Sequence, residues 1–422
     1  MISAANRKDS GLPIAHLFSE FGFQFSYIII PLIAARALNA SGFQMGILMS
    51  VGAVSVLAAP FVGAAFDKNR KYVAGMIVSD MARAILYFAI IMSFSYINMY
   101  FLVTLMLGIT FFTISFDICR TSYVADNYKS PHNFNSLLLL ITSAAEIIGP
   151  GAASLSLSSM GYQASLGFVC VSFLLSAFFI LYPKLNRASF YTCNYGQTEI
   201  DCKPYSDDKK SIGALSAAYY IIRNRDIFSF FVLAIGWSFC SRVLMSVFFI
   251  SSVKNFGLTD YEVSLPVVIG GVGTILSALI CRFFFGGRNL LAFNRGFFFC
   301  IFLAAVSLFF SDKISSLSLF LLCCFMFLLF LGAGACRTSS LTYRQVNVNI
   351  DLLGKINSYF FIGTNVSIPF GAMLGGVMYD CGGLEMVSVS SLLMFFVFLS
   401  MSFIDPEKMF FRSYLNSRDQ EQ

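Results

Sequence analysis

Residues 317–339 read LSLFLLCCFMFLLFLGAGACRTS, and residues 98–122 read NMYFLVTLMLGITFFTISFDICRTS. Each is a long apolar run closed by the same four letters, CRTS, at 119–122 and 336–339. An α-helix crosses the hydrocarbon of a bilayer with roughly 20 mostly apolar residues. Both runs are long enough for that, so each reads as a membrane span. Their shared ending suggests that the chain is built twice.

The rest of the sequence agrees. Of 422 residues, 57% are hydrophobic and 12% charged, and the mean hydropathy is +0.76. A soluble domain carries about twice that share of charge. A water-soluble fold cannot hide so much apolar surface, and disordered, collagenous and small disulfide-stapled chains are excluded by the same figures. Apolar runs fall at 14–36, 42–66, 72–94, 98–119, 135–156 and 165–183, then at 227–252, 262–285, 296–311, 317–336, 357–379 and 386–404. The expected fold is an all-α membrane protein of twelve spans in two pseudo-symmetric six-helix halves. We divide it into residues 1–183, a polar linker at 184–226 and residues 227–422. Twelve spans take about 240 residues, which leaves loops but no separate soluble domain.

Lysine and arginine in the loops set the orientation. With the N-terminus in the cytoplasm, inside segments hold 23 of the 28 basic residues and outside loops hold two, Lys254 and Lys313. A missed or added span would invert everything after it and spoil this asymmetry. Both termini are therefore expected in the cytoplasm, with the protein multi-pass in the inner (plasma) membrane. The net charge of +6 reflects this distribution and does not point to nucleic acid.

The two CRTS motifs open an ordered set of landmarks. Each is followed by a basic segment, by Asn-Ser (Asn135-Ser136; Asn357-Ser358), and by a span with proline beside glycine (Gly149-Pro150-Gly151; Pro369 with Gly371). Two homologous halves with the substrate site between them are a common plan of secondary transporters. Most of the eleven cysteines lie in apolar runs, as small hydrophobes. Cys193 and Cys202 lie in the linker. The two histidines, His16 and His132, fall near the cytoplasmic interface, and no C-x-x-C pair or His/Cys cluster points to a metal. No cofactor is expected. Met1–Pro13 lacks the pattern of a cleaved signal peptide.

At 63–71, after the second span, the chain reads GAAFDKNRK. This resembles the major facilitator superfamily loop signature G-x-x-x-D-[R/K]-x-G-[R/K], matched by Gly63, Asp67, Lys68 and Lys71, with Arg70 where the family has glycine. SDMARA at 79–84, SRVLMSVFF at 241–249, YRQVNVNIDLLGKINS at 343–358 and PFGAMLGG at 369–376 resemble the branch that contains the enterobactin exporter and macrolide efflux proteins. The resemblance implies a twelve-helix, proton-driven exporter of a small molecule. Gly149-Pro150 resembles the end of the antiporter motif on the fifth span, although most of that motif's upstream glycines are absent.

Charges inside a membrane are costly and mark candidate sites. Gly63, Asp67, Lys68 and Lys71 are expected at a cytoplasmic gate, together with Asp80 and Arg83, which share a helix face at i, i+3, while Arg70 reads as a basic charge that holds the loop inside. Glu20 in the first span and Glu146 in the fifth are proton-coupling candidates, because a carboxylate taken out of water exchanges protons near neutral pH. Arg242, in the middle of the seventh span, either binds an anionic substrate through bidentate contacts or pairs with Glu146 or Glu20. Asp117, Arg120 and Asp380 read as helix-end charges. In the linker, 211–226 reads as a short amphipathic helix.

The expected function is proton-driven efflux, by alternating access, of a small amphipathic molecule such as a siderophore, an antibiotic or a peptide antibiotic, with self-immunity as one use. The expected partners are that substrate, protons and the bilayer, and a monomer suffices. The alternatives are import of a nutrient or peptide on the same fold, since fold does not fix function, and a membrane-embedded enzyme, for which no nucleophile motif or metal cluster is present.

Overall fold

The computed structural model describes residues 11–59, 61–62, 66, 70–127, 131–188, 214–284 and 289–405. Helices account for nearly all of these residues. In the first half, α1 runs Gly11–Leu32 and continues through a wider π-type turn, Ile33–Ala37, just after Pro31. Next come α2 (Gly42–Val56), α3 (Tyr72–Met92) and α4 (Met99–Asn127). One continuous stretch, Pro131–Ala188, turns back at Gly161, whose φ of 77° suits a residue without a Cβ, and so supplies α5 (131–160) and α6 (162–188). A short helix α7 (Ala214–Arg223) precedes the second half.

There, α8 (Arg225–Lys254), α9 (Asp260–Phe284), α10 (Leu290–Lys313, interrupted at Phe299) and α11 (Ser318–Asn347) repeat the pattern. The stretch Ile350–Met401 turns at Gly382–Gly383, where φ of Gly383 is 64°, into α12 (350–381) and α13 (384–401). Among the described residues nine helices are long and apolar enough to cross a membrane. Two of these, Leu140–Tyr182 and Leu352–Met401, run 43 and 50 residues. That is about twice the length of one crossing, so each is a pair of spans. With the shorter α2, twelve crossings result.

Polar side chains set the helix starts. Ser41 and Gln44 form a reciprocal capping box at α2 (Ser41 N–H to Gln44 Oε1, 3.0 Å; Gln44 N–H to Ser41 Oγ, 3.3 Å). Asn224 and Asn289 cap α8 and α10.

The packing repeats between halves. Helix α1 lies on α5 and α6, with Gly149 of α5 so close that a Cβ there would come within 2.7 Å of Gln24. Helix α8 lies on α12 and α13 in the same way. Helix α3 packs on α4 and α6 as α10 packs on α11 and α13, and α2 on α4 as α9 on α11. Helices α2 with α12, and α5 with α9, join the halves.

The described polar contacts between halves near the helix ends gather at one end of the molecule. Arg36 pairs with Asp260 at 2.9 Å and also donates to the Leu258 carbonyl, while Lys254 Nζ donates to the Ala40 carbonyl at 2.8 Å. Asp380 accepts from the first amides of α2, Gly42 N–H at 2.6 Å and Phe43 N–H at 2.8 Å. A Cβ on Gly42 would collide with the Gly376 carbonyl, so the backbones of α2 and α12 touch here. We call this the sealed end. No such contact joins the halves at the opposite end among the described residues.

One expectation is corrected. The CRTS motifs read as the start of loops, but α4 continues to Asn127 and α11 to Asn347. Hydropathy marks the part of a helix that sits among apolar groups. The backbone hydrogen bonds run on where a helix stands beside a polar cleft.

Candidate functional site

A cavity of about 740 Å³ lies in the second half, between α8, α10, α11 and α12, and reaches Tyr27 of α1. It holds three arginines. Arg242 is 17 residues into α8, about 25 Å from its start at 1.5 Å per residue. Arg337 and Arg344 stand on α11 seven residues apart, two turns, and so on one face. From the end opposite the sealed end inward, the order is Arg344, Arg337, Arg242, which forms a ladder of positive charge.

No described carboxylate pairs with any of the three. Arg344 is buried, with Nε donating to the Ser340 carbonyl (3.1 Å) and Nη1 to Asn357 Oδ1 (2.7 Å), and its guanidinium lies 3.9 Å from the centre of the Phe360 ring. These contacts orient the group without neutralising it. Arg337 is exposed to the cleft. Arg242 is half-buried and faces the Tyr27 hydroxyl across the boundary between halves. Aromatic rings, among them Trp237, Phe330 and Phe361, supply the apolar remainder.

The first half contributes Tyr27 to the lining, and its nearby acids lie outside the lining residues. Glu20 is half-buried on α1, and its charged neighbours are Asp117, Arg120 and Glu146. Gln24 reaches its carboxylate at 3.5 Å. Arg120 pairs with Asp117 at 3.1 Å and lies 2.9 Å from the His16 ring nitrogens, and His16 is 3.1 Å from Thr142 Oγ1. Glu146 is half-buried on α5, and Arg337 is the charged group whose field reaches it. Glu146 lies beside the α5–α9 contact, where Gly271 meets Ile147.

The remaining expected residues fall elsewhere. Asp80 and Arg83 pair with one another inside the first half. Arg83 also donates to Ser19 (2.9 Å) and lies between the Phe116 and Phe173 rings, and Asp80 accepts from Ser176 (2.6 Å). Both are essentially inaccessible. They stand eight and eleven residues into α3, about 12–16 Å from its start. Lys71 precedes α3 and is exposed. Gly63, Asp67 and Lys68 lie outside the described residues, as do the linker cysteines and the side chain of His132. Gly149 makes the close α1–α5 approach, with Pro150 beside it in α5. Asp380 holds the start of α2. The sequence reading counted Arg337 and Arg344 only as loop charges. Their seven-residue spacing fits one helix face, but only the course of α11 shows that the helix extends to both.

The sequence profile of the Major Facilitator Superfamily matches residues 12–372. The chain belongs to this superfamily. It is a membrane-embedded transporter rather than an enzyme. Solved structures share the fold at low identity. The nucleoside transporter NupG is 13% identical with a TM-score of 0.69, over 94% of this chain and all of that one. A bacterial homologue of the iron transporter ferroportin, inward-facing, is 14% identical with a TM-score of 0.69, over 95% of this chain and all of that one. A bacterial homologue of the human lysosomal transporter Spinster, inward-facing and unoccupied, is 14% identical with a TM-score of 0.68, over 96% and 98%. No curated protein sequence matches.

Proposed function

We propose that this transporter exports a small amphipathic anion across the inner membrane by alternating access, with Glu146 and Glu20 exchanging protons. The observation that supports this reading is the ladder Arg344–Arg337–Arg242, uncompensated in its own half and facing Glu146. A charge held inside a membrane without a counter-ion is expensive, and an anionic ligand supplies the counter-ion. The ladder begins at the end that carries the basic loops, the end the distribution of lysine and arginine assigns to the cytoplasm. In this reading the end joined by Arg36–Asp260 and by Asp380 is the outer, closed end, and the substrate enters from inside. An inside-negative potential drives a net negative load outward by about 2.3 kcal/mol per charge per 100 mV. The emptied carrier returns with its acids protonated from outside, and Glu146 ionises toward Arg337 inside. A siderophore, an antibiotic or a peptide antibiotic with an acidic group fits this chemistry.

The same pair favours a second reading. An anion on Arg337 competes with the Glu146 carboxylate, and Glu146 then keeps its proton while the anion is bound. Proton and anion would then travel together, as in uptake. The test compares small molecules inside and outside cells with and without the protein, followed by transport in proteoliposomes with pH gradient and potential imposed separately. Export predicts a compound retained inside cells that lack the protein. A compound left unconsumed in the medium establishes uptake instead. Glu146→Gln is expected to remove the response to the pH gradient while leaving folded protein in the membrane.

A further inference from the structure

We infer that the ligand of the arginine cavity is a planar aromatic dianion, with two anionic groups about 10 Å apart. The inference rests on the transport reading above for its biological role, and on the cavity itself for its chemistry.

The two anionic groups follow from α11. Arg337 and Arg344 project from one helix face seven residues apart, a rise of about 10 Å. Arg344 has three of its contacts fixed, and its Nη2 makes no hydrogen bond, so one edge of the guanidinium is held ready. Arg337 makes no hydrogen bond or ion pair with a described residue and stands exposed in the cleft. An arginine bonds a carboxylate, sulfate or phosphate through two parallel N–H donors. One monoanion neutralises one of these sites and leaves the other unpaired.

The ring follows from the walls. Phe360 already stacks under Arg344, and Phe361 and Phe330 border the same space. A flat ligand carrying its charges at its ends lies along these faces with its edges toward the arginines.

Asn294, buried in α10 and bordering the cavity, fixes this wall: its Nδ2 donates to the Cys336 carbonyl and to Ser339 Oγ, both at 2.8 Å.

The test measures binding to the purified full-length protein in detergent by calorimetry and thermal shift, so it does not depend on direction or coupling. The probes are biphenyl-4,4′-dicarboxylate, its half-amide with the same shape and one charge, and dodecanedioate, which has two charges and no ring. The diacid is expected to bind at least ~10-fold more tightly than the half-amide and than dodecanedioate. Arg337→Gln, which breaks no described contact, is expected to erase the difference between diacid and half-amide. Lys313→Gln, at the sealed end, is expected to change nothing. Equal binding of diacid and half-amide, or a preference that survives Arg337→Gln, overturns the dianion, as does failure of the diacid to bind at millimolar concentration. In each case proton-driven transport of the cell's own compound can still be intact, so the broader reading stands or falls separately. Loss of transport with dianion binding preserved would overturn that broader reading and leave the site chemistry in place.

Discussion

Arg120 and Arg337 occupy the same place in the two copies of CRTS, yet their surroundings are opposite. Arg120 has Asp117 one turn before it on α4 and pairs with it at 3.1 Å, with His16 on its other side. The residue one turn before Arg337 is Gly334, packed so tightly on Ser277 of α9 that no side chain fits. The pattern extends beyond this pair. In the first half Arg83 has Asp80, and Glu20 lies among Asp117 and Arg120. In the second half Arg242, Arg337 and Arg344 have no described acid. Among the described residues, the first-half arginines near the cleft are compensated and the second-half arginines of the cavity are not. Compensated charges hold a structure together, whereas uncompensated charges await a ligand.

The largest test of this contrast is stability. Asp80→Ala leaves Arg83 buried without its counter-ion, a loss of about 3–5 kcal/mol for a broken buried pair. Arg242→Gln removes a charge that no acid balances and is expected to leave the melting temperature unchanged or raised. Thermal unfolding of the purified variants measures both. If Arg242→Gln unfolds as readily as Asp80→Ala, the second half contains a compensation that the contrast denies.

A second test makes the second half resemble the first. Position 334 has no room, but Ala333, four residues before Arg337 and on the cavity wall, does. Ala333→Glu places a carboxylate at i, i+4 from Arg337. Anion binding is expected to fall by about 10–100-fold, or 1.4–2.8 kcal/mol, with the protein folded as before. Unchanged binding would mean that Arg337 does not contact the ligand.

How much of this was legible in the sequence differs between the halves for the same physical reason. Twelve apolar runs and the repeated CRTS led to the twelve-span, two-half fold, because the bilayer imposes length and hydropathy on every span. Asp80 and Arg83 were readable as a pair, because both partners lie within one turn. Arg337 and Arg344 were not readable as site residues, since they lie past the end of the hydropathy signal, in a stretch that resembles a basic loop. Only the course of α11 shows that the helix continues along a cavity. Nor could the sequence place Asn294 beside Cys336, because that contact joins two spans and leaves no periodicity behind it.

The sealed end offers a smaller effect. Arg36 with Asp260, and Asp380 on the first amides of α2, join the first half to the second. Substituting a capping carboxylate typically costs about 1 kcal/mol, and an exposed ion pair is worth at most a similar amount. Arg36→Gln with Asp380→Ala is therefore expected to shift the balance toward opening at this end by roughly five- to thirty-fold. Hydrogen exchange at the Gly42 and Phe43 amides reports it, since both lose their acceptor. Unchanged protection there would mean that the backbone contact of Gly42 with Gly376 alone holds this end shut.

The finest test lies where the two halves meet. Glu146 belongs to the first half, and Arg337 to a cavity lining that includes no acid among the described residues. If the uptake reading holds, an anion and the Glu146 carboxylate compete for Arg337. At low pH Glu146 is protonated, Arg337 is free, and anion binding is tight. As pH rises and Glu146 ionises, its charge competes and binding weakens. Glu146→Gln is fixed in the neutral form, so its affinity is expected to equal the low-pH value throughout. At neutral pH it should bind the anion a few-fold more tightly than the native protein, by about 0.5–1 kcal/mol for a charge pair acting through a wet cleft. Glu20, whose charged neighbours are Asp117, Arg120 and Glu146 and not Arg337, is expected to contribute less, and Glu20→Gln should keep most of the pH dependence. Titration calorimetry of the dicarboxylate probe across pH, on the two variants side by side, separates them. A slope that survives Glu146→Gln and disappears with Glu20→Gln would move the coupling out of the cleft and into the His16–Arg120–Asp117 cluster of the first half.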